Sequence, residues 1–176
     1  MGIDYRQLVR GDRVHASLLH DSEVFVEEME RIFVRGWAFV GHESEIKGNG
    51  DWVKRQLGNE SVIMVRADDG DVNVLSNRCA HRGTALCWEH SGNAAFFQCT
   101  YHNWRFGLDG SLRAVPFPDG YSKPKAALGL DRAGQVASYR GFVIANLDGR
   151  AGSIDEHLGD AGYELIDRLC EMSPTA

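Results

Sequence analysis

Two short stretches carry the residues best suited to chemistry. Cys79-Ala80-His81-Arg82-Gly83 offers a thiol and an imidazole as Cys-x-His, and Cys99-Thr100-Tyr101-His102-Asn103-Trp104 offers them as Cys-x-x-His. Residues 82–98 lie between the two ligand pairs. Thiolate and neutral imidazole are ligands for transition metals, and two of each are enough for one centre. Four thiolates would suit zinc or a plain iron–sulfur cluster, whereas two histidines in place of two thiolates on one iron of a [2Fe–2S] pair raise its reduction potential. Two plainer readings compete. Free cysteine is often buried as a small hydrophobe, but tight Cys/His pairs in polar, Gly-containing loops do not look like core. A Cys2His2 set also makes a structural zinc site. Zinc fingers, however, usually pair Cys with Cys and His with His, and here each loop mixes the two.

With these flanking residues, the two loops resemble the Rieske [2Fe–2S] domain of aromatic ring-hydroxylating oxygenase α subunits, and the likeness covers most of the 176 residues. The resemblance implies that Cys79 and Cys99 hold one iron and that His81 and His102 hold the other. It also places Arg82, Gly83, Tyr101 and Trp104 around the cluster. Backbone N–H groups near Arg82, Gly83 and Trp104 are expected to donate to the sulfurs and tune the potential. Gly83 would let the backbone turn close to the cluster, and Trp104 would shield it from water. The potential is expected at the low end of the range of about −150 to +300 mV. Asn103 stands where Gly is commoner in the family. Rieske proteins of cytochrome bc complexes carry a second Cys in each loop, joined as a disulfide. The second loop here has none, so Cys87 is expected as a lone buried thiol, which favours the oxygenase or ferredoxin type.

In that family electrons pass from NADH through a reductase, often by way of a ferredoxin, to the Rieske centre. They then cross to a mononuclear Fe(II) in the catalytic domain of a neighbouring α subunit, within a homotrimer. This chain stops at Ala176, just where the catalytic domain should begin, so the oxygenation site and the aromatic substrate are expected to lie outside it. A free-standing Rieske ferredoxin, an electron carrier rather than part of an enzyme, is the alternative; a zinc-stabilised structural module is a third. Helices flanking the core favour the α-subunit origin. Asp12, His15 and His20 reproduce the spacing of a 2-His-1-carboxylate iron site. They stand upstream of the loops rather than far downstream, and are expected as surface residues.

The elements that must position the loops are legible in outline. Asp21-Ser22 can cap a helix from about Glu23, with Phe25, Met29, Ile32 and Phe33 as its apolar stripe. A strand is expected over residues 37–41. Trp52–Leu57, Ser61–Arg66 and Asp71–Leu75 follow as strands joined by Gly58-Asn59 and Asp69-Gly70, which are hairpin signals. Ala94–Gln98 leads into the second loop, and Arg105–Leu108 pairs with Ser111–Val115. Residues 116–134 are irregular, and Ser138–Leu147 reads as a last buried strand. Ser153-Ile154-Asp155-Glu156 is a capping box opening a helix with Ile154, Leu158, Ala161, Leu165 and Leu169 on one face. The fold expected is mainly β: a Rieske-type antiparallel sandwich with a small cluster-binding subdomain, flanked by N- and C-terminal helices. Its segments are 1–36, a helical extension; 37–150, the Rieske domain; and 151–176, a helix leading toward the catalytic domain. Hydrophobic content of 43% and charged content of 25% are ordinary for a soluble globular protein. A net charge of −6 without a basic stripe argues against nucleic acid. No apolar run suits a membrane span and no secretory signal opens the chain, so a cytoplasmic location with free thiols is expected.

Overall fold

The computed structural model describes residues 3–172; Met1–Gly2 and residues 173–176, at the ends of the expected 1–36 and 151–176 segments, lie outside the described residues. Strand β1 (Ala38–His42) opens the β-rich body. β2 (Asp51–Leu57), β3 (Glu60–Arg66) and β4 (Val72–Ser76) form an antiparallel meander, and a short β5 (Ser91–Asn93) adds to the free edge of β2. Leu57 faces Glu60 across Gly58-Asn59, where Gly58 takes a φ of +55° that glycine adopts without a Cβ penalty. A second three-stranded sheet is built from β6 (Phe97–Gln98), β7 (Arg105–Phe106) and β8 (Leu112–Ala114). The third sheet pairs β9 (Gln135–Tyr139) with β10 (Phe142–Asn146), and β10 with β1.

Strand β3 sets the layering. Successive side chains of a strand point to opposite faces, and here both faces are covered. Val62 and Met64 join Val53, Val74, Val40 and Val143 in a core shared with the sheet of β1, β9 and β10. Ile63 and Val65 join Trp52, Leu75, Phe97, Phe106 and Leu112 in a core shared with the sheet of β6–β8. The register agrees, since Val53 opposes Met64 and Trp52 opposes Val65.

Four expectations need correction. Residues 138–147 are not one strand but most of a hairpin, β9–β10, turning at Arg140-Gly141. Both residues have positive φ, +52° and +85°, as a type I′ turn requires. Arg is not a turn signal, which hid the break. Between the expected strands, residues 91–93 rather than 94–96 carry the pairing ahead of β6.

The stripe Phe25, Met29, Ile32 and Phe33 does not stay on one buried face. Helix α1 (Ser22–Glu28), capped by the Asp21 carboxylate on the Glu23 N–H, passes into a π-helical turn over Met29–Val34. That i→i+5 pairing changes the residues per turn and so the phase of the stripe. Val24 is buried and Met29 and Phe33 pack over Gly58, while Phe25 and Ile32 are exposed. Helix α2 (Ile154–Met172) keeps its capping box, Glu156 N–H to Ser153 Oγ at 3.2 Å and Ser153 N–H to Glu156 Oε2 at 3.0 Å. A non-helical Gly159 (φ +54°) then breaks it. Beyond the break Tyr163 and Asp167 meet the β9–β10 hairpin, Tyr139 and Arg140 both donating to Asp167 Oδ1, and Leu165 and Leu169 are exposed.

Glu43 ties the layers together just after β1. Its carboxylate accepts from the Ser138 hydroxyl of β9 and pairs with Arg66 of β3 at 2.7 Å. The Ser138 bond first, then Arg66, hold its pKa below the ordinary carboxylate value. A folded-state pKa below the unfolded one adds stability above the unfolded pKa that fades as pH falls toward the folded one. Urea unfolding should therefore find Glu43→Gln less stable than wild type at pH 7, with the gap closing through the acid range. A gap independent of pH would show that the carboxylate's charge is not what matters.

Candidate metal centre

Loop 1 (residues 77–90) connects β4 to β5, and loop 2 (residues 99–104) is the turn between β6 and β7. Their backbones repeat one design. The Cys79 N–H bonds the Thr84 carbonyl at 2.8 Å, and the Cys99 N–H bonds the Trp104 carbonyl at 2.9 Å. Each cysteine carbonyl in turn accepts from the residue four places on, Gly83 at 2.8 Å and Asn103 at 2.9 Å. Those two residues carry positive φ, +73° and +55°. Asn103 thus occupies a left-handed position, and asparagine is among the few side chains that tolerate it. At Gly83 an added Cβ would meet nothing, so the backbone angle alone demands glycine there.

The structure brings the four candidate ligands together as two like pairs. Cys79 and Cys99 are buried as neighbours in one core. The His81 and His102 rings stand edge to face with centroids 4.6 Å apart. Burial first, and then the neighbouring Cys99, push the Cys79 thiol pKa up, while N–H groups of His81 and Arg82 donate to its sulfur and oppose that rise. The Gly83 N–H serves the Cys79 carbonyl. His81 has its pKa lowered by burial, then by the charges of His102 and Arg82, which favours the neutral, ligating form of the ring.

The Nδ1 atoms of His81 and His102 are buried and have no hydrogen-bond partner. Buried polar atoms are normally paired, so two adjacent orphans need an explanation. Two nitrogen lone pairs beside two thiols are what a binuclear centre with unlike ends takes up. A single tetrahedral zinc would instead need all four donors converging on one point. Among the described residues no three His, Cys, Asp or Glu side chains are grouped for one ion. The residues fit a [2Fe–2S] cluster.

The surroundings of the two histidines differ. Trp104, 1% exposed, lies parallel to His81 at an interplanar angle of 6° and a centroid distance of 5.0 Å. Tyr101 is 60% exposed and its ring centroid is 3.8 Å from that of His102. Arg82 and Gly83 are exposed at the loop tip. Tyr121, not singled out by any motif, meets both Trp104 and His81 from the irregular segment after β8. Only the fold could have found it.

Cys87 is a buried lone thiol whose pKa burial pushes up to about 12, so it serves packing. Beneath it Asn77, 2% exposed, holds loop 1. Its Oδ1 accepts from the N–H groups of Leu86 and Cys87, and its Nδ2 donates to the Cys87 carbonyl and Ser61 Oγ. The Asp12/His15/His20 set does not converge. Arg13 grips the Asp12 carboxylate, His15 Nδ1 pairs with Ser17 Oγ, and both histidines are exposed.

Comparison with known proteins agrees with this geometry. The Rieske [2Fe–2S] domain family matches residues 36–139. The N,N-dimethyl phenylurea N-demethylase subunit alpha of Sphingobium sp. (strain YBL2) is 41% identical over 160 residues, 89% of this chain and 35% of that protein. The large oxygenase component of the naphthalene 1,2-dioxygenase system of Pseudomonas aeruginosa is 40% identical over 152 residues, 84% of this chain and 34% of its own length. In structure, naphthalene 1,2-dioxygenase from Rhodococcus sp. superposes with a TM-score of 0.80 at 37% identity, covering 86% of this chain and 35% of that one. The chain thus spans about a third of the length of these relatives.

If Asn77 fixes loop 1, Asn77→Ala leaves the buried Cys87 N–H and the Cys87 carbonyl without partners, while the Leu86 N–H keeps its bond to the residue 77 carbonyl. The expected loss is about 3 kcal/mol of unfolding free energy in urea. A loss below about 1 kcal/mol would mean that the loop is held by other contacts.

Proposed function

Because this chain belongs to the Rieske [2Fe–2S] domain family, we propose that it is the electron-transfer domain of an aromatic ring-hydroxylating dioxygenase α subunit. The observation that carries this reading is the pair of buried, unpartnered Nδ1 atoms on His81 and His102, whose rings meet edge to face. Cys79 and Cys99 would hold one iron, His81 and His102 the other. When bound, the [2Fe–2S] cluster supplies one-electron redox chemistry. The protein's part is positional and electrostatic. The two loops hold the ligands at fixed separation on a shared core, and the N–H groups of His81 and Arg82 offset thiolate charge. Trp104 closes the inner side to water. With Nδ1 turned inward, each histidine keeps its remaining proton on Nε2, toward the open side of the ring. That edge is the one a redox partner meets.

The likeness to α subunits supports this assignment over a free ferredoxin, since it runs past residues 36–139 to cover 160 aligned residues. On this reading residues 1–36 are the helical extension, 37–150 the Rieske domain and 151–176 the lead into a catalytic domain. The donor is a ferredoxin or reductase drawing on NADH, and the acceptor is a mononuclear Fe(II) in the catalytic domain of a neighbouring α subunit, in a cytoplasmic homotrimer. A net charge of −6 argues against a nucleic-acid partner on this reading. Among the described residues no helix is long and apolar enough to cross a membrane.

The purified chain should be red-brown, with two irons and two acid-labile sulfides per molecule and an EPR signal on reduction with dithionite. His102→Cys should keep part of the cluster at a lower potential, because an anionic ligand replaces a neutral one. A colourless protein with one zinc per chain would overturn the assignment.

A further inference from the structure

We propose that Tyr121 is a positioning residue for His81, acting through Trp104, and that it sets how firmly the histidine end of the centre is held. The proposal rests on the ligand reading above. Ligating histidines usually owe their orientation to a hydrogen bond from the second ring nitrogen to a carboxylate, a carbonyl or water. On the ligand reading the buried Nδ1 of His81 faces the iron, and its second nitrogen, Nε2, makes no hydrogen bond to any described residue. Aromatic packing takes over that task. The indole of Trp104 lies along one face of the imidazole at 6° and 5.0 Å, and the Tyr121 ring closes the corner at 89° and 6.1 Å.

What fixes the indole is in turn Tyr121. The Tyr121 hydroxyl accepts from Trp104 Nε1 at 3.2 Å, and the two rings meet at 90° with centroids 5.0 Å apart. Trp104 is almost wholly enclosed, so its N–H has no water to turn to. A buried N–H that loses its acceptor carries the full desolvation cost, which gives the indole a reason to rotate. Rotation would destroy the parallel stack that holds the His81 plane. Among the described residues His102 has no such corner: its aromatic neighbours there are His81 and the exposed Tyr101. The two histidines are therefore held unequally, His81 by a closed aromatic chain and His102 by an open one.

The test uses Tyr121→Phe in the iron-loaded chain, which keeps the ring and removes only the hydroxyl. Pulsed EPR of the reduced protein should show one of the two histidine nitrogen couplings altered and the EPR lines broadened. Iron loss to a chelator should be several-fold faster than in wild type. Tyr139→Phe serves as the control, because it removes a β9 tyrosine hydroxyl that donates to Asp167 of α2, away from the histidines. It should lower thermal stability without touching the histidine couplings. In a Trp104→Phe background, where the N–H donor is gone, Tyr121→Phe should add no further change. If Tyr121→Phe does not fold, Trp104→Phe alone must alter the same single coupling. Wild-type couplings and wild-type iron loss in Tyr121→Phe would overturn the proposal, as would an equal spectral change in Tyr139→Phe. A wild-type protein lacking two irons or any histidine coupling would instead overturn the ligand reading.

Discussion

The architecture depends on burying both faces of β3. Val62 to Val65 is an unbroken apolar run, and each of the four side chains is 3% exposed or less. Covering either face alone would leave two large side chains in water, at roughly 1.5–3 kcal/mol apiece. One face requires the sheet of β1, β9 and β10, and the other requires the small sheet of β6 to β8. The second core includes Cys79, Cys99 and Trp104, so the candidate centre grows out of the same packing that stabilises the domain. A cysteine pair placed there is held by core residues rather than by a mobile loop.

On that base the loops are built twice from one pattern. In each, the cysteine N–H and carbonyl close a tight turn through a residue of positive φ, so the cysteine and the left-handed residue hold equivalent places. The histidines do not: His81 is the second residue after its cysteine and His102 the third. The offset lets two chemically equal loops present their rings edge to face. It also leaves them with different neighbours, an enclosed indole for His81 and an exposed phenol for His102. Asn77 adds a third support from below, with both ends of its amide bonded to loop 1 or β3.

The helices show where local periodicity stops being a guide. The stripe from Phe25 to Phe33 is regular in sequence, yet the π-helical turn over Met29–Val34 shifts its phase and leaves Phe25 and Ile32 in solvent. At the other end Gly159 breaks α2, and the segment beyond it docks by Tyr163 and Asp167 rather than by Leu165 and Leu169. Each departure comes from a backbone irregularity that a hydrophobic stripe does not encode. The aromatic chain from Tyr121 through Trp104 to His81 is of the same kind, since its members come from a loop, a turn and an irregular stretch.

The sequence by itself determined the identity of the four candidate ligands, the meander of β2 to β4 and both helix caps. These rest on short-range physics: ligand chemistry at close spacing, glycine at turn positions, and a side-chain oxygen beside a free N–H. Only the tertiary structure decided that the thiols pair with each other and the imidazoles with each other, because that depends on two loops meeting over a shared core. It alone split residues 135–146 into two strands, through a turn whose Arg140 carries no local signal. It alone set Tyr121 against Trp104 and His81, since contacts between residues far apart in the chain follow from how sheets stack.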